Sequence, residues 1–329
     1  MERRAQTQGA AGDPSPAVVE ALADAGVFTR LARLIEIRHR TREVPLFSSP
    51  QRRSPLVGLH HSRLRGRGVD FDQVRVYQPG DDVRTIDWRV TARTLEPHTK
   101  LFHEERERPI YLVVEQSRRL FFGSGRVLKS VLAAEAAALV GWAALEHNDR
   151  VGGLVFGNQG QDEIRPRRSK HSLLLLLDRL ASANRRLLDE APVDPENLAQ
   201  ALRRTREVLR PGSLAVLLCD ERSLSDTAEQ QLRLLGRHVD LLLMPLSDPL
   251  DHALPAAGLL RFASGPARLE LDSHDATLRQ AYRAAAGERA ERWQRLASKL
   301  CVPLLPLNTA TDPVEQLRRH LGLDKGGPR

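Results

Sequence analysis

The spacing of apolar residues sets the first divisions of the chain. From residue 17 to about 37 they recur at helical spacing, with Val18, Leu22, Val27, Leu31, Leu34 and Ile35 as candidate core contacts and a break near Gly26. This predicts a short helical hairpin. Over residues 43–108 the apolar positions stand apart among Pro, Gly, Arg and Asp, a texture of loops and short strands. From Pro109 onward strand-like and helix-like runs alternate, which predicts a mostly parallel sheet with helices on both faces, an α/β fold. Strands are expected at 110–114, 151–156, 163–165, 214–219, 239–244 and 302–307, and helices over 127–145, 172–180, 226–235, 275–300 and 313–321. A further helix is expected to open with Asp194 as N-cap and Pro195 as first residue. The 127–145 stretch has only Lys129 and Glu135 as internal charges, so as a helix it must be buried on most sides. A hairpin is expected near 257–272.

The division that follows is an arm over 1–16 with the composition of a disordered segment, a helical and loop-rich unit over 17–108, an α/β domain over 109–324 that carries the hairpin, and a flexible tail over 325–329. No apolar run approaches the roughly 18 residues needed to span a bilayer, the runs at 173–177 and 241–244 being far shorter. The N-terminal stretch begins with charge but lacks an apolar h-region and a cleavage site, so a cytoplasmic protein is expected. The two cysteines, Cys219 and Cys301, lie in apolar strand-like runs and are expected to be buried thiols.

Charge adds a second possibility. A net charge of +8 and an isoelectric point near 10.1 suit a phosphate-binding face. The arginines, however, are scattered among aspartates and glutamates without forming one stripe, and an aromatic content of 4% offers few stacking platforms. Nucleic-acid binding is therefore the alternative, not the leading expectation.

The most specific passage spans residues 66–93, GRGVDFDQVRVYQPGDDVRTIDWRVTAR, and continues through HEERERPIYLVVEQS. Pro79-Gly80 suits the centre of a type II turn, where Gly80 takes positive φ, and Asp81 and Asp82 can bond its backbone N–H groups. Arg75, Arg84, Arg89 and Arg93 alternate with Asp70, Asp72, Asp82 and Asp87, while Tyr77 and Trp88 supply apolar weight. This reads either as an internal network docking the unit on the sheet or as a recognition surface. A two-metal phosphoesterase site drawn from Asp70, Asp72, Asp81, Asp82, Asp87, His60, His61, His98 and His103 has suitable ligand types but no defensible ligand spacing.

The Tyr-x-Pro-Gly-Asp turn (Tyr77, Pro79, Gly80, Asp81, with Asp82), the Arg-x-Ile-Asp-Trp segment (Arg84, Asp87, Trp88) and the closing Ala-Arg (Arg93) resemble the signature of the family known as domain of unknown function 58. The resemblance implies a von Willebrand factor type A-like domain serving protein–protein interaction. It also implies a MoxR-type AAA+ ATPase as partner, together with a client protein, in chaperone-like maturation or assembly.

Type A domains hold Mg2+ at the sheet edge through Asp-x-Ser-x-Ser, a Thr and a later Asp. Here the matching positions are Glu115, Ser117 and Arg119 after the first strand of the domain and Asp220 after LAVLLC, with no threonine between Leu154 and Asp194. A fixed cation at 119 would repel Mg2+, so the expectation is a degenerate site holding no metal, with Arg119 between Glu115 and Asp220 in place of the ion. Ser117, Arg118, Arg119 and Asp220 are then candidates for partner binding. No phosphate loop, dinucleotide fingerprint, nucleophile elbow or HExxH occurs, so no catalytic residue and no cofactor are expected.

Overall fold

A computed structural model describes residues 16–47, 70–103, 108–158, 160–188, 193–264 and 267–323. The expected N-terminal arm before Pro16 and the tail over 325–329 lie outside the described residues.

The centre is a six-stranded sheet of order β10-β7-β6-β3-β4-β5. Its strands are β3 (Pro109–Glu115), β4 (Arg150–Gly157), β5 (Gly160–Arg167), β6 (Leu214–Asp220), β7 (Asp240–Ser247) and β10 (Leu307–Asn308). All neighbours pair in parallel except β5, which runs antiparallel to β4 at the edge. Period-two alternation divides the core between the two faces. On β3, Ile110, Leu112 and Val114 face one apolar cluster, while Tyr111 and Val113 face the other.

Helices α4 (Lys129–Glu146), α5 (Lys170–Arg185) and α10 (Pro313–His320) cover the first face, and α6 (Asn197–Val208), α7 (Asp226–Leu235) and α9 (Ala276–Leu300) the second. Helix α4 is buried from Lys129 to Ala144, as its composition requires. Its glycine permits close packing on α5: a Cβ on Gly141 would lie 2.7 Å from Leu173 Cδ1.

The N-terminal helices α1 (Pro16–Asp24) and α2 (Leu31–Glu36), with the 3₁₀ turn that follows, do not form one unit with the signature segment. Leu34, Ile37, Val44, Leu46 and Phe47 join the core between α4 and α5. Trp142 Nε1 donates to Leu34 O at 2.9 Å, Thr41 Oγ1 to Glu146 at 2.9 Å, and Arg40 pairs with Asp312 at 2.8 Å. The signature segment instead forms a separate two-stranded ribbon, β1 (Asp70–Val76) against β2 (His98–His103), with the short helix α3 (Trp88–Thr94) between them. A second ribbon, β8 (Leu259–Ser264) with β9 (Ala267–Asp272), follows the short helix α8 (Pro249–His252).

Three local expectations fail for identifiable reasons. The run at 302–307 gives only the two residues of β10 and one bridge, Leu243 to Leu304, because Pro303 and Pro306 have no N–H to donate. Helix α6 starts at Asn197, since Asp194 is spent on the preceding turn: its side chain accepts from Glu196 N–H and its carbonyl from Asn197 N–H. Cys301 is exposed, in the left-handed residue that ends α9, whereas Cys219 is buried in β6.

Candidate functional site

Strand β3 is followed by β4 on one side, and β6 lies on its other side, so the carboxyl ends of β3 and β6 flank the switch point of the sheet, where open α/β folds bind ligands. Glu115 ends β3 and Asp220 ends β6, both buried. The cation set among these carboxylates is Lys129, not Arg119. Lys129 opens α4 with no exposed surface, and its Nζ donates to Asp220 at 2.5 Å and Asp251 at 2.8 Å while lying 5.6 Å from the Phe122 ring centre. Arg222 completes the cluster, with Nε on Asp220 at 3.0 Å and Nη1 on Asp251 at 3.4 Å. Two carboxylates thus meet two cations, which offsets the cost of taking them out of water.

The local sequence explains the placement. Asp248-Pro249-x-Asp251 is a capping box: Asp248 caps α8, Pro249 takes its first turn, and Asp251 accepts from Asp248 N–H at 2.9 Å. Asp248 is also buried and accepts from Ser124 N–H and Ser124 Oγ, each at 2.6 Å, and from Thr309 Oγ1. Arg119 is carried outward by the 3₁₀ turn Arg118–Leu120 and, among the described residues, reaches only Arg222 O, at 3.1 Å.

Glu115 is met by neutral donors. Its oxygens accept from Ser117 Oγ, from Ser223 Oγ at 2.8 and 3.0 Å, and from Asp220 N–H at 2.9 Å. Burial, and then the Asp220 charge, push its pKa above the ordinary carboxylate value. Burial also acts to raise Asp220, but Lys129 and Arg222 outweigh it and hold Asp220 below the ordinary value.

Of the four candidate contact residues, Ser117 and Asp220 are buried and bonded internally, which removes them from any contact with a partner. Arg118 is half-buried: its Nη1 donates to Leu187 O at 2.5 Å, its N–H to Asn158 Oδ1 at 3.3 Å, and its guanidinium sits 5.1 Å from the Phe121 ring centre. Arg119 is half-buried as well but makes a single bond among the described residues, so with the exposed Arg222 it forms the rim. Lys129, Asp248 and Asp251 escaped the sequence reading. A lone lysine opening an otherwise apolar helix, and the Asp-Pro-x-Asp spacing, were the available signals.

The signature residues close on one another within the ribbon. Gly80 has φ 107, and Asp81 N–H donates to Gln78 O at 3.0 Å, the expected turn. Asp81 pairs with Arg75 at 2.7 Å and accepts from Gln78 N–H at 2.9 Å. The Gln78 bond, then Arg75, holds its pKa below the ordinary value. Tyr77 OH donates to Asp81 O at 3.3 Å. Asp82 accepts from Arg84 N–H at 3.0 Å, and Asp87 caps α3 through Arg89 and Val90 N–H. Trp88, expected to add apolar weight inside the unit, is instead exposed, as are Arg84 and Arg93. For the two-metal alternative, Asp82 and Asp87 are used as caps and Asp81 as a turn acceptor. Among the described residues no three His, Cys, Asp or Glu side chains are grouped to hold a metal ion, and His60 and His61 lie outside the described residues.

A six-stranded, mostly parallel sheet with one antiparallel edge strand and helices on both faces is an α/β domain of the architecture that the resemblance to type A domains implies. The chain belongs to the family described as protein of unknown function DUF58, whose model matches residues 73–292. It is 31% identical over 276 residues to uncharacterized protein Rv1480 of Mycobacterium tuberculosis and, to the same extent, to uncharacterized protein Mb1516 of Mycobacterium bovis, covering 83% of this chain and 84% of each relative. Among solved structures it is similar to the conserved hypothetical protein BatB from Bacteroides thetaiotaomicron, with a TM-score of 0.40 and 10% identity over 66% of this chain and 97% of that one. An aerotolerance-related membrane protein from Bacteroides fragilis gives 0.38 and 10% over 66% and 98%. Among the described residues, no helix of this chain is long and apolar enough to cross a membrane.

Proposed function

We propose that this chain is a non-enzymatic protein-interaction adaptor that acts with a MoxR-type AAA+ ATPase in chaperone-like maturation or assembly of a target complex. The family resemblance supplies the partner class. The observation that carries the reading is the built-in cation: Lys129 lies between Asp220 and Asp251 at the sheet edge, so the buried acids are satisfied from within. The chemistry left at the accessible rim is the guanidinium of Arg119, since Arg222 already holds Asp220 and Asp251. A guanidinium fork suits carboxylates on a partner surface.

The test is titration of the purified chain with the MoxR-type ATPase of the same host. Arg119→Glu should weaken association by about 30-fold, roughly 2 kcal/mol, if Arg119 meets desolvated carboxylates. Arg119 makes one described hydrogen bond and no described ion pair, so the variant is expected to fold, which circular dichroism checks. Wild-type affinity in the folded variant would remove this surface, and no association at all would remove the partner.

A further inference from the structure

The signature ribbon carries a face that its own fold leaves uncovered. On α3, Val90 and Thr91 turn inward, Thr91 Oγ1 accepting from His98 N–H at 3.1 Å. Trp88, Arg89, Ala92 and Arg93 are exposed. At about 100° per residue these four fall on one arc with Leu95 at its edge, apolar on one side and basic on the other. Trp88 is 68% exposed and Leu95 90%, whereas the other two tryptophans, Trp142 and Trp293, are buried. Leu95 also stands at φ 63, a conformation that favours glycine, with its side chain in solvent.

Three acids of the ribbon are engaged within it, and the exposed carboxylate of Glu96, next to Leu95, pairs with none of its arginines among the described residues. Asp81 holds Arg75, Asp82 caps the turn, and Asp87 caps α3 and pairs with Lys100 at 3.5 Å. Among the described residues no carboxylate pairs with Arg84, Arg89 or Arg93. The sequence preceding the ribbon supplies none either. Residues 48–69 contain Arg52, Arg53, Arg63, Arg65 and Arg67 and no acid.

We propose that this arc docks an acidic, apolar-tipped segment of a partner protein, with apolar side chains on Trp88 and Leu95 and carboxylates on Arg89 and Arg93. Tryptophan and arginine dominate protein–protein hot spots, and guanidiniums pair carboxylates in two-pronged fashion. The exposed aliphatic neighbours Val76 and Val83 favour a protein over a nucleic-acid strand, whose phosphates give an aliphatic side chain nothing to pack on. The face is distinct from the sheet edge and stands or falls apart from the ATPase reading.

Trp88 is its own reporter, since it is exposed while Trp142 and Trp293 are buried, so acrylamide should quench it preferentially. The full chain is titrated with three probes: a short amphipathic helix of Glu and Leu, its Lys and Leu counterpart, and a short DNA duplex. The Glu–Leu peptide is expected to protect the emission from acrylamide, less so as salt rises, and the Lys–Leu peptide is not. Arg89→Glu with Arg93→Glu should weaken the protection by about tenfold or more. Trp88→Ala should abolish the quenchable emission, and both variants change exposed side chains only. Absence of protection up to about 1 mM Glu–Leu peptide, equal binding by the charge-reversed variant, or protection by DNA at lower concentration than by the peptide would each overturn the proposal.

Discussion

Lys129 holds two buried carboxylates at once, and its replacement separates packing from charge. Met matches its unbranched stem, so Lys129→Met keeps the volume while leaving Asp220 and Asp251 with Arg222 alone. Breaking a buried pair from one side costs about 3–5 kcal/mol, and urea unfolding should register a loss of that order. A loss under about 1 kcal/mol would mean that Arg222 suffices. Glu115 carries the opposite sign. Its pKa in the fold lies above the ordinary 4.5, so the folded state holds a proton that the unfolded chain releases, and stability falls as pH rises from 4.5 through the raised value. Glu115→Gln removes that dependence. The difference in Tm, variant minus wild type, should therefore become more positive as pH rises through this window, and a difference that shrinks would contradict the burial argument. Asp220, held low, acts in the other direction and contributes stability that is lost only as pH falls below 3.8 through its depressed value.

At the scale of elements, the signature ribbon depends on one turn and one cap. Nothing lies within 4 Å of a Cβ added to Gly80, so Gly80→Val tests backbone conformation alone: a β-branched residue at φ 107 should cost on the order of 1 kcal/mol or more. Because the ribbon's strand pairing is separate from the central sheet, the readout is hydrogen exchange at Tyr77 N–H, which donates to Pro97 O at 2.7 Å. Unchanged protection would show that the turn does not need glycine. This turn was legible in the sequence because Pro-Gly fixes both central conformations locally. So was α7, whose Ser225 cap precedes an amphipathic run. Strand β10 was not, since Pro303 and Pro306 interrupt a run that composition alone reads as continuous, and the start of α6 was misplaced because an Asp-Pro pair serves a turn as readily as a helix start.

At the scale of the molecule, alternation of strands and helices from Pro109 made the α/β architecture readable, while the packing of residues 31–47 into the same core was not, since it depends on contacts such as Trp142 with Leu34, 108 residues apart. The same limit hid the site. Lys129 stands out in sequence as a charge in an apolar helix, but its partners are 91 and 122 residues away, and a metal-site pattern with a nearby arginine invited the wrong cation. Lys129 and Arg222 match the charges of Asp220 and Asp251 at the sheet edge without a metal ion. Calorimetric titration of Mn2+ into the purified wild-type protein tests this most directly. No site tighter than about 1 mM is expected, whereas stoichiometric binding below that concentration, lost on Asp220→Ala, would contradict it.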